Sequence, residues 1–72
     1  MELKLKLKTI RNNLKLTQDQ IAENLGLTSN SRRARISEWE SGRSEPNREI
    51  LIRYAELYGV NLKRLIDDRE DL

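Results

Sequence analysis

The sequence predicts an all-α fold of five short helices, and three observations lead to this class. Apolar residues recur three or four positions apart through most of the chain, which is the spacing of one helical face. Threonine and asparagine residues, which cap helix N-termini, stand before several of these segments. Each glycine follows such a segment, where a helix often ends in a left-handed residue. The length of 72 residues suits one compact domain, residues 1–72.

The first predicted helix has an apolar face. Its members are Leu3, Leu7, Ile10 and Leu14. Leu5 breaks this stripe, and leucine alternates with lysine over residues 3–8, which is the pattern of a half-buried strand. We favour the helix because the stripe continues to residue 14 whereas the alternation stops. A short strand before the helix is the alternative.

The second and third predicted helices are separated by a glycine. Thr17, with Gln20 three residues later, predicts a capping box at the start of the second helix. Gly26 is placed to end that helix in a left-handed conformation. Ile36 and Trp39, three residues apart, form the buried face of the third helix, which the next glycine closes.

The last two predicted helices each follow an asparagine cap. Asn47 comes directly after the only proline and caps the fourth helix. The apolar face of that helix comprises Ile50, Leu51, Tyr54, Ala55, Leu57 and Tyr58. Asn61 caps a short fifth helix, whose apolar residues are Leu62, Leu65 and Ile66. The acidic tail, residues 67–72, opposes the helix dipole and is expected to fray.

Composition excludes several classes of function. The chain has 14 Lys and Arg residues against 12 Asp and Glu, a net charge of +2, and neither cysteine nor histidine. Disulfides, thiolate nucleophiles, the usual zinc sites and imidazole catalysis are therefore excluded, and we expect no enzyme, no cofactor and no metal. No segment is long and apolar enough for a membrane span or an export signal, so a cytoplasmic location is the expectation.

Four segments resemble a known family. They are TQDQIAENLG at 17–26, ISEWESGR at 36–43, Pro46-Asn47, and LYGVNL at 57–62. In this order they resemble the Cro and lambda-type repressor family, also called XRE-like, and the similarity runs from about Leu3 to Ile66. The resemblance implies a lambda-repressor-like DNA-binding domain with its helix-turn-helix at residues 17–42.

An arginine cluster opens the third helix. Arg32, Arg33 and Arg35 suit DNA phosphates or guanine edges better than a core, although a solvated charged face is the alternative. Arg33 points most clearly outward and is the first choice as a base reader, with Arg32 and Arg35 as phosphate contacts. The resemblance implies DNA contacts at further positions. These are Gln18, Asn30, Ser37, Glu38, Arg43 and Asn47.

The turn before this cluster departs from the family. Gly26 and Ile36 lie ten positions apart. The family separation is about six, and four extra residues are close to one helical turn. Either the reading helix extends backwards with Thr28 or Ser29 as its cap, or the turn is longer with Asn30 or Ser31 as the cap. We favour the longer turn because residues 28–31 are all turn-type or cap-type.

Two other expectations follow from the resemblance. Arg11 and Glu40 match a family pair that forms a partly buried salt bridge between the first and third helices. Lys15 stands where many relatives have glycine. A positive φ there costs a lysine roughly 1 kcal/mol, so we expect this turn to be shaped differently.

The resemblance implies a sequence-specific transcriptional regulator that binds double-stranded DNA, as a repressor on a palindromic operator and as a homodimer. The candidate dimer residues are Tyr58, Val60, Leu62, Leu65 and Ile66. For Leu62 and Leu65 a place in the core is favoured. The alternative function is an antitoxin-like or adaptor module that binds a protein partner. The arginine cluster argues against it, because such a face is more often apolar.

Overall fold

A computed structural model describes all residues, 1–72, and contains five helices and no strand. The helices are α1 (Leu3–Asn13), α2 (Gln18–Asn24), α3 (Arg32–Ser41), α4 (Arg48–Tyr58) and α5 (Leu62–Ile66). The predicted all-α class is confirmed. The strand alternative for residues 3–8 is wrong, because α1 is helical from Leu3 and buries Leu7 and Ile10 on one face. None of these helices has the length and apolar character needed to cross a bilayer.

The helix starts follow the predicted caps. The Thr17 hydroxyl accepts a hydrogen bond from the backbone N–H of Gln20 at 3.0 Å, and the Gln20 side chain accepts from the Thr17 N–H at 2.8 Å. This is a complete capping box. The side chains of Asn47 and Asn61 each accept a hydrogen bond from the N–H three residues ahead, at 3.0 and 3.1 Å. These starts are therefore encoded locally.

One apolar core lies where the helices meet. It contains Leu7, Ile10, Ile21, Ala22, Leu25, Leu27, Ile36, Trp39, Ile50, Tyr54 and Leu65. α2 packs chiefly on α3, α1 packs on α3 and α5, and α4 packs on α5. The Tyr54 hydroxyl is buried without a hydrogen-bond partner, and burial raises its pKa well above the ordinary value. Tyr54 therefore acts as a core side chain.

Two apolar residues of the predicted faces lie outside the core. Leu14 is 46% exposed because α1 ends at Asn13 and the chain then turns away from the helical stripe. Leu57 lies in the last turn of α4 and is 52% exposed, since no other helix covers it.

The acidic tail is not helical beyond Ile66 and folds back on the residues that precede α1. The Met1 ammonium donates to the backbone oxygen of Asp68 at 2.9 Å and lies 3.3 Å from a carboxylate oxygen of Asp71. Lys6 is fully buried, and its Nζ donates to the backbone oxygens of Arg64 and Asp67. Two ammonium groups thus lie close to the carbonyls of the last turn of α5 and to the carbonyls and acidic side chains that follow it.

Lys15 adopts a φ of 56° and is the one non-glycine residue with positive φ. The expectation that this turn is shaped differently is wrong, because the turn after α1 adopts a left-handed conformation despite its lysine and so carries the associated strain. We expect Lys15→Gly to raise the free energy of unfolding by about 1 kcal/mol, which is roughly 4–8 °C in melting temperature. Lys15→Ala is the matched control because it retains Cβ. Equal melting temperatures for the two variants would contradict the strain.

Candidate nucleic-acid interface

α3 begins after a long turn, so the longer-turn prediction is confirmed. α2 ends at Asn24, Gly26 adopts a φ of 81°, and α3 starts at Arg32 with Ser31 in the N-cap position. The alternative in which the helix extends back to Thr28 or Ser29 is wrong. The Ser31 side chain makes no capping hydrogen bond, and no acidic residue occupies the first turn of α3. The N-terminus of α3 therefore depends on contacts from elsewhere.

The three arginines of the cluster have different environments. Arg33 and Arg35 are two residues apart, so they lie about 200° apart around the helix. The guanidinium of Arg35 lies over the Trp39 ring, 5.2 Å from its centroid, in cation–π geometry. Arg33 is exposed on the edge that adjoins the start of α2. Arg33 and Arg35 therefore do not act on one patch of surface.

Arg32 is engaged by a carboxylate of α2. Its Nε and Nη2 donate to the two carboxylate oxygens of Asp19 at 3.0 and 3.2 Å, a two-pronged pair. These hydrogen bonds lower the pKa of Asp19 and raise that of Arg32. Arg32 is thus less available to a phosphate than its neighbour Arg33.

Two adjoining depressions form one polar surface beside α3, which we call the α2–α3 face. They share Arg11 and Gln18, and no apolar residue lines either depression. The residues of the α2–α3 face are Lys8, Arg11, Thr17, Gln18, Asp19, Arg33, Ser37, Glu40 and Ser41. The fold therefore brings three predicted DNA contacts together: Gln18, Arg33 and Ser37.

The α2–α3 face is electropositive because its two carboxylates are already paired. Asp19 binds Arg32, and Glu40 binds Arg11. Lys8 and Arg33 are exposed and have no ion-pair partner in the chain. The free cations leave an excess of positive charge suited to a phosphate backbone.

Arg11 and Glu40 form the salt bridge that the resemblance implied. Arg11 Nε and Nη2 donate to the two Glu40 oxygens at 2.7 and 2.8 Å, and Nη1 donates to the backbone oxygen of Leu16 at 3.0 Å. The two side chains are 15% and 4% exposed. Hydrogen bonding to Glu40 raises the pKa of Arg11. The pair joins the end of α1 to the last turn of α3.

The other predicted contacts lie apart from the α2–α3 face. Asn30 is exposed in the long turn, and Arg43 is exposed just beyond the end of α3. Glu38 is exposed on α3, where one carboxylate oxygen accepts a hydrogen bond from the Ser44 hydroxyl at 3.3 Å. Asn47 uses its side-chain oxygen to cap α4. The DNA-binding roles of these residues stay predictions.

The predicted dimer residues differ in exposure, and one of them is corrected. Leu65 is fully buried in the core of its own chain because it sits on the face of α5 that packs on α1 and α4, so it supplies no dimer surface. Tyr58, Val60 and Leu62 are partly buried against the core, and Ile66 is 53% exposed. The apolar lining of a nearby groove comprises Ile10, Leu14, Tyr58, Val60 and Leu72.

Sequence reasoning missed two residues that shape the helix-turn-helix. Arg53 of α4 donates from Nη1 to the backbone oxygen of Leu25 at 2.7 Å, and from Nη2 to Glu49 at 2.8 Å. The spacing of Glu49 and Arg53 is that of an ordinary surface pair on one helix, so it gave no sign of the contact with α2. The role of Asp19 was equally hidden, because it depends on the path of the long turn.

Comparison with known proteins gives two matches. A family model described as a helix-turn-helix domain matches residues 6–69. The HTH-type transcriptional activator BcrR of Enterococcus faecalis is 37% identical over 70 residues, which cover 97% of this chain and 32% of BcrR. The chain thus spans about a third of the length of that relative. No solved structure matches the chain.

Proposed function

Because the chain belongs to the helix-turn-helix domain family, we propose that it is a transcriptional regulator that recognises a palindromic operator as a homodimer and represses from it. In this proposal α3 of each protomer lies in the major groove, and the two half-sites are about one helical turn apart. The similarity to a protein named as a transcriptional activator supports a role in transcription.

The observation that carries the proposal is the α2–α3 face. Arg33 is exposed and unpaired at one end of it, and Ser37 follows one turn later on the same side of α3. Gln18 adjoins both depressions from the first turn of α2. In this arrangement Arg33 reads a guanine edge, and Gln18 binds a phosphate and braces the reading helix. Arg43 and Asn47 hold the backbone on either side.

The proposed dimer surface is the set of partly exposed apolar residues at the end of α4 and in α5. It retains Tyr58, Val60, Leu62 and Ile66, and the exposed Leu57 extends it. Burial of these side chains between two copies would remove apolar area that a single chain leaves in water. Sedimentation that shows only monomer, both free at tens of micromolar and on DNA, would refute the homodimer.

The experiment that tests the function is a binding selection from random duplexes. The winning duplex is then compared with a scrambled duplex in a salt titration. A palindromic winner bound at least about 10³-fold more tightly than the scramble is the expected result. If no sequence wins and weak binding disappears as salt rises, the binding is non-specific attraction. The adaptor alternative then takes precedence, with the apolar groove beside Leu14 and Val60 as its candidate surface.

Two arginine variants are expected to separate base reading from phosphate binding. Arg33→Ala should cost about 1–3 kcal/mol on the winning duplex and relax discrimination at one base step. Arg43→Ala should weaken all duplexes alike and reduce the salt slope by about 1. Lys63→Ala on α5 is the matched control, since it removes one exposed positive charge away from the α2–α3 face. Identical profiles for Arg33→Ala and Arg43→Ala would contradict the assignment of Arg33 as a base reader.

The direction of regulation is tested separately with a reporter. A domain bound over a promoter obstructs polymerase by occupancy alone, so we expect expression to fall when the operator overlaps the promoter. A rise in expression from the same arrangement would reverse the assignment to activation.

A further inference from the structure

The first turn of α3 lacks the usual local support. Residues 28–31 are exposed, and the Ser31 side chain makes no capping hydrogen bond. The first residues of the helix are Arg32 and Arg33, whose positive charges oppose the positive end of the helix dipole. Such a turn is expected to fray unless another element holds it.

Asp19 supplies the missing support from α2. Its two carboxylate oxygens accept hydrogen bonds from Arg32, the first residue of α3, at 3.0 and 3.2 Å. A negative charge is thereby placed beside the N-terminus of α3, where the helix dipole favours it. The two-pronged geometry also fixes the orientation of Arg32.

We propose that Asp19 and Arg32 are a positioning pair that orders the first turn of α3 and so sets Arg33 on the α2–α3 face, and that Arg32 is not a DNA contact. This inference rests on the proposed function, because it assigns to Arg33 the reading of bases. The Asp19 and Arg32 side chains are 54% and 31% exposed, so their pairing contributes little to global stability. Its effect is local to the turn that precedes Arg33.

The competing assignment, in which Arg32 binds phosphate, predicts the opposite sign for one variant. Asp19→Asn removes a negative charge beside a polyanion and frees Arg32, so a phosphate role predicts tighter binding to every duplex. A positioning role predicts weaker binding to the winning duplex alone. Glu56→Gln is the matched control, because Glu56 is an exposed carboxylate on α4 without an ion-pair partner.

The test is a double-mutant cycle with Asp19→Asn, Arg32→Gln and the double variant. Each single variant should weaken binding to the winning duplex by about two- to fivefold, and the double variant should bind no more weakly than either single variant. Affinity for the scrambled duplex should not fall in Asp19→Asn, and Glu56→Gln should bind both duplexes like the parent. Tighter binding of Asp19→Asn to the winning duplex would overturn the proposal. So would a reduction of the salt slope by about 1 in Arg32→Gln.

Amide exchange in the free protein keeps this inference distinct from the proposed function. The N–H groups of Arg32 and Arg35 donate to the backbone oxygens of Ser29 and Ser31 at 3.1 and 3.0 Å. Asp19→Asn should speed their exchange by about two- to fivefold and leave the core amide of Leu25 unchanged. Unchanged exchange at Arg32 and Arg35 would overturn the positioning role. If the parent protein selects no DNA sequence but Asp19→Asn still shows this faster exchange, only the proposed function is overturned.

Discussion

Glu40→Ala is expected to lower the free energy of unfolding by roughly 3–5 kcal/mol, because it leaves the partly buried Arg11 guanidinium without its counter-ion. A domain of 72 residues has roughly 4–11 kcal/mol in total, so this loss removes a large fraction of its stability. Thermal and denaturant unfolding followed by circular dichroism measures the loss. Glu56→Ala is the matched control, since Glu56 is an exposed glutamate on α4 without an ion-pair partner.

A double apolar variant separates the fold from the binding surface. Arg11→Met combined with Glu40→Leu removes both charges and should recover much of the lost stability, because no charge is left stranded. It should still bind DNA more weakly than the parent, since Arg11 lines both depressions of the α2–α3 face. If Glu40→Ala melted at the parent temperature yet bound DNA poorly, the pair would belong to the interface and not to the fold.

Lys6→Met is expected to lower the free energy of unfolding by roughly 3 kcal/mol, because it keeps the shape of the side chain but leaves buried carbonyls at the end of α5 unpaired. Lys6 Nζ donates to the backbone oxygens of Arg64, Leu65 and Asp67 from a side chain that is fully buried. Denaturant unfolding measures the loss, and amide exchange at Leu65 locates it in α5.

Lys8→Met tests whether the effect of Lys6 is specific. Lys8 lies on the same helix but is exposed, so its loss should change stability by no more than about 0.5 kcal/mol. If Lys6→Met and Lys8→Met unfolded at the same denaturant concentration, the bonds to the end of α5 would contribute nothing to stability. Lys6 also shows that not every lysine of the basic first helix is available to DNA.

Patterns within a few residues predicted most of the secondary structure. The Thr17 capping box, the Asn47 and Asn61 caps and the glycine that ends α3 all lie where expected. Each of these features involves backbone groups no more than four residues from the side chain or glycine concerned. The neighbouring residues are therefore sufficient to predict them. The prediction of a long turn before α3 is also confirmed, since the turn-type residues 28–31 compete with helix formation and α3 starts at Arg32.

Predictions about side-chain environment were less complete. The stripe on α1 predicted burial of Leu14, and alternation gave no reason to bury Lys6, yet Leu14 is exposed and Lys6 is not. Leu65 was a candidate for the dimer surface although the core was favoured, and the structure buries it fully. In each case the outcome depends on which other element covers that position, and helical periodicity alone does not carry this information.

The one-dimensional pattern was sufficient for the all-α class, the helix-turn-helix segments and the presence of an arginine cluster, because each depends on residue type and short spacing. Packing of α2 against α3 decided that Arg32 pairs with Asp19 and that Arg33 stays free beside Gln18. The stacking of Arg35 on Trp39 is instead a local contact, four residues apart on α3. The physical reason is distance along the chain. Asp19 and Arg32 are separated by 13 positions, so their contact exists only once the turn between the helices has folded.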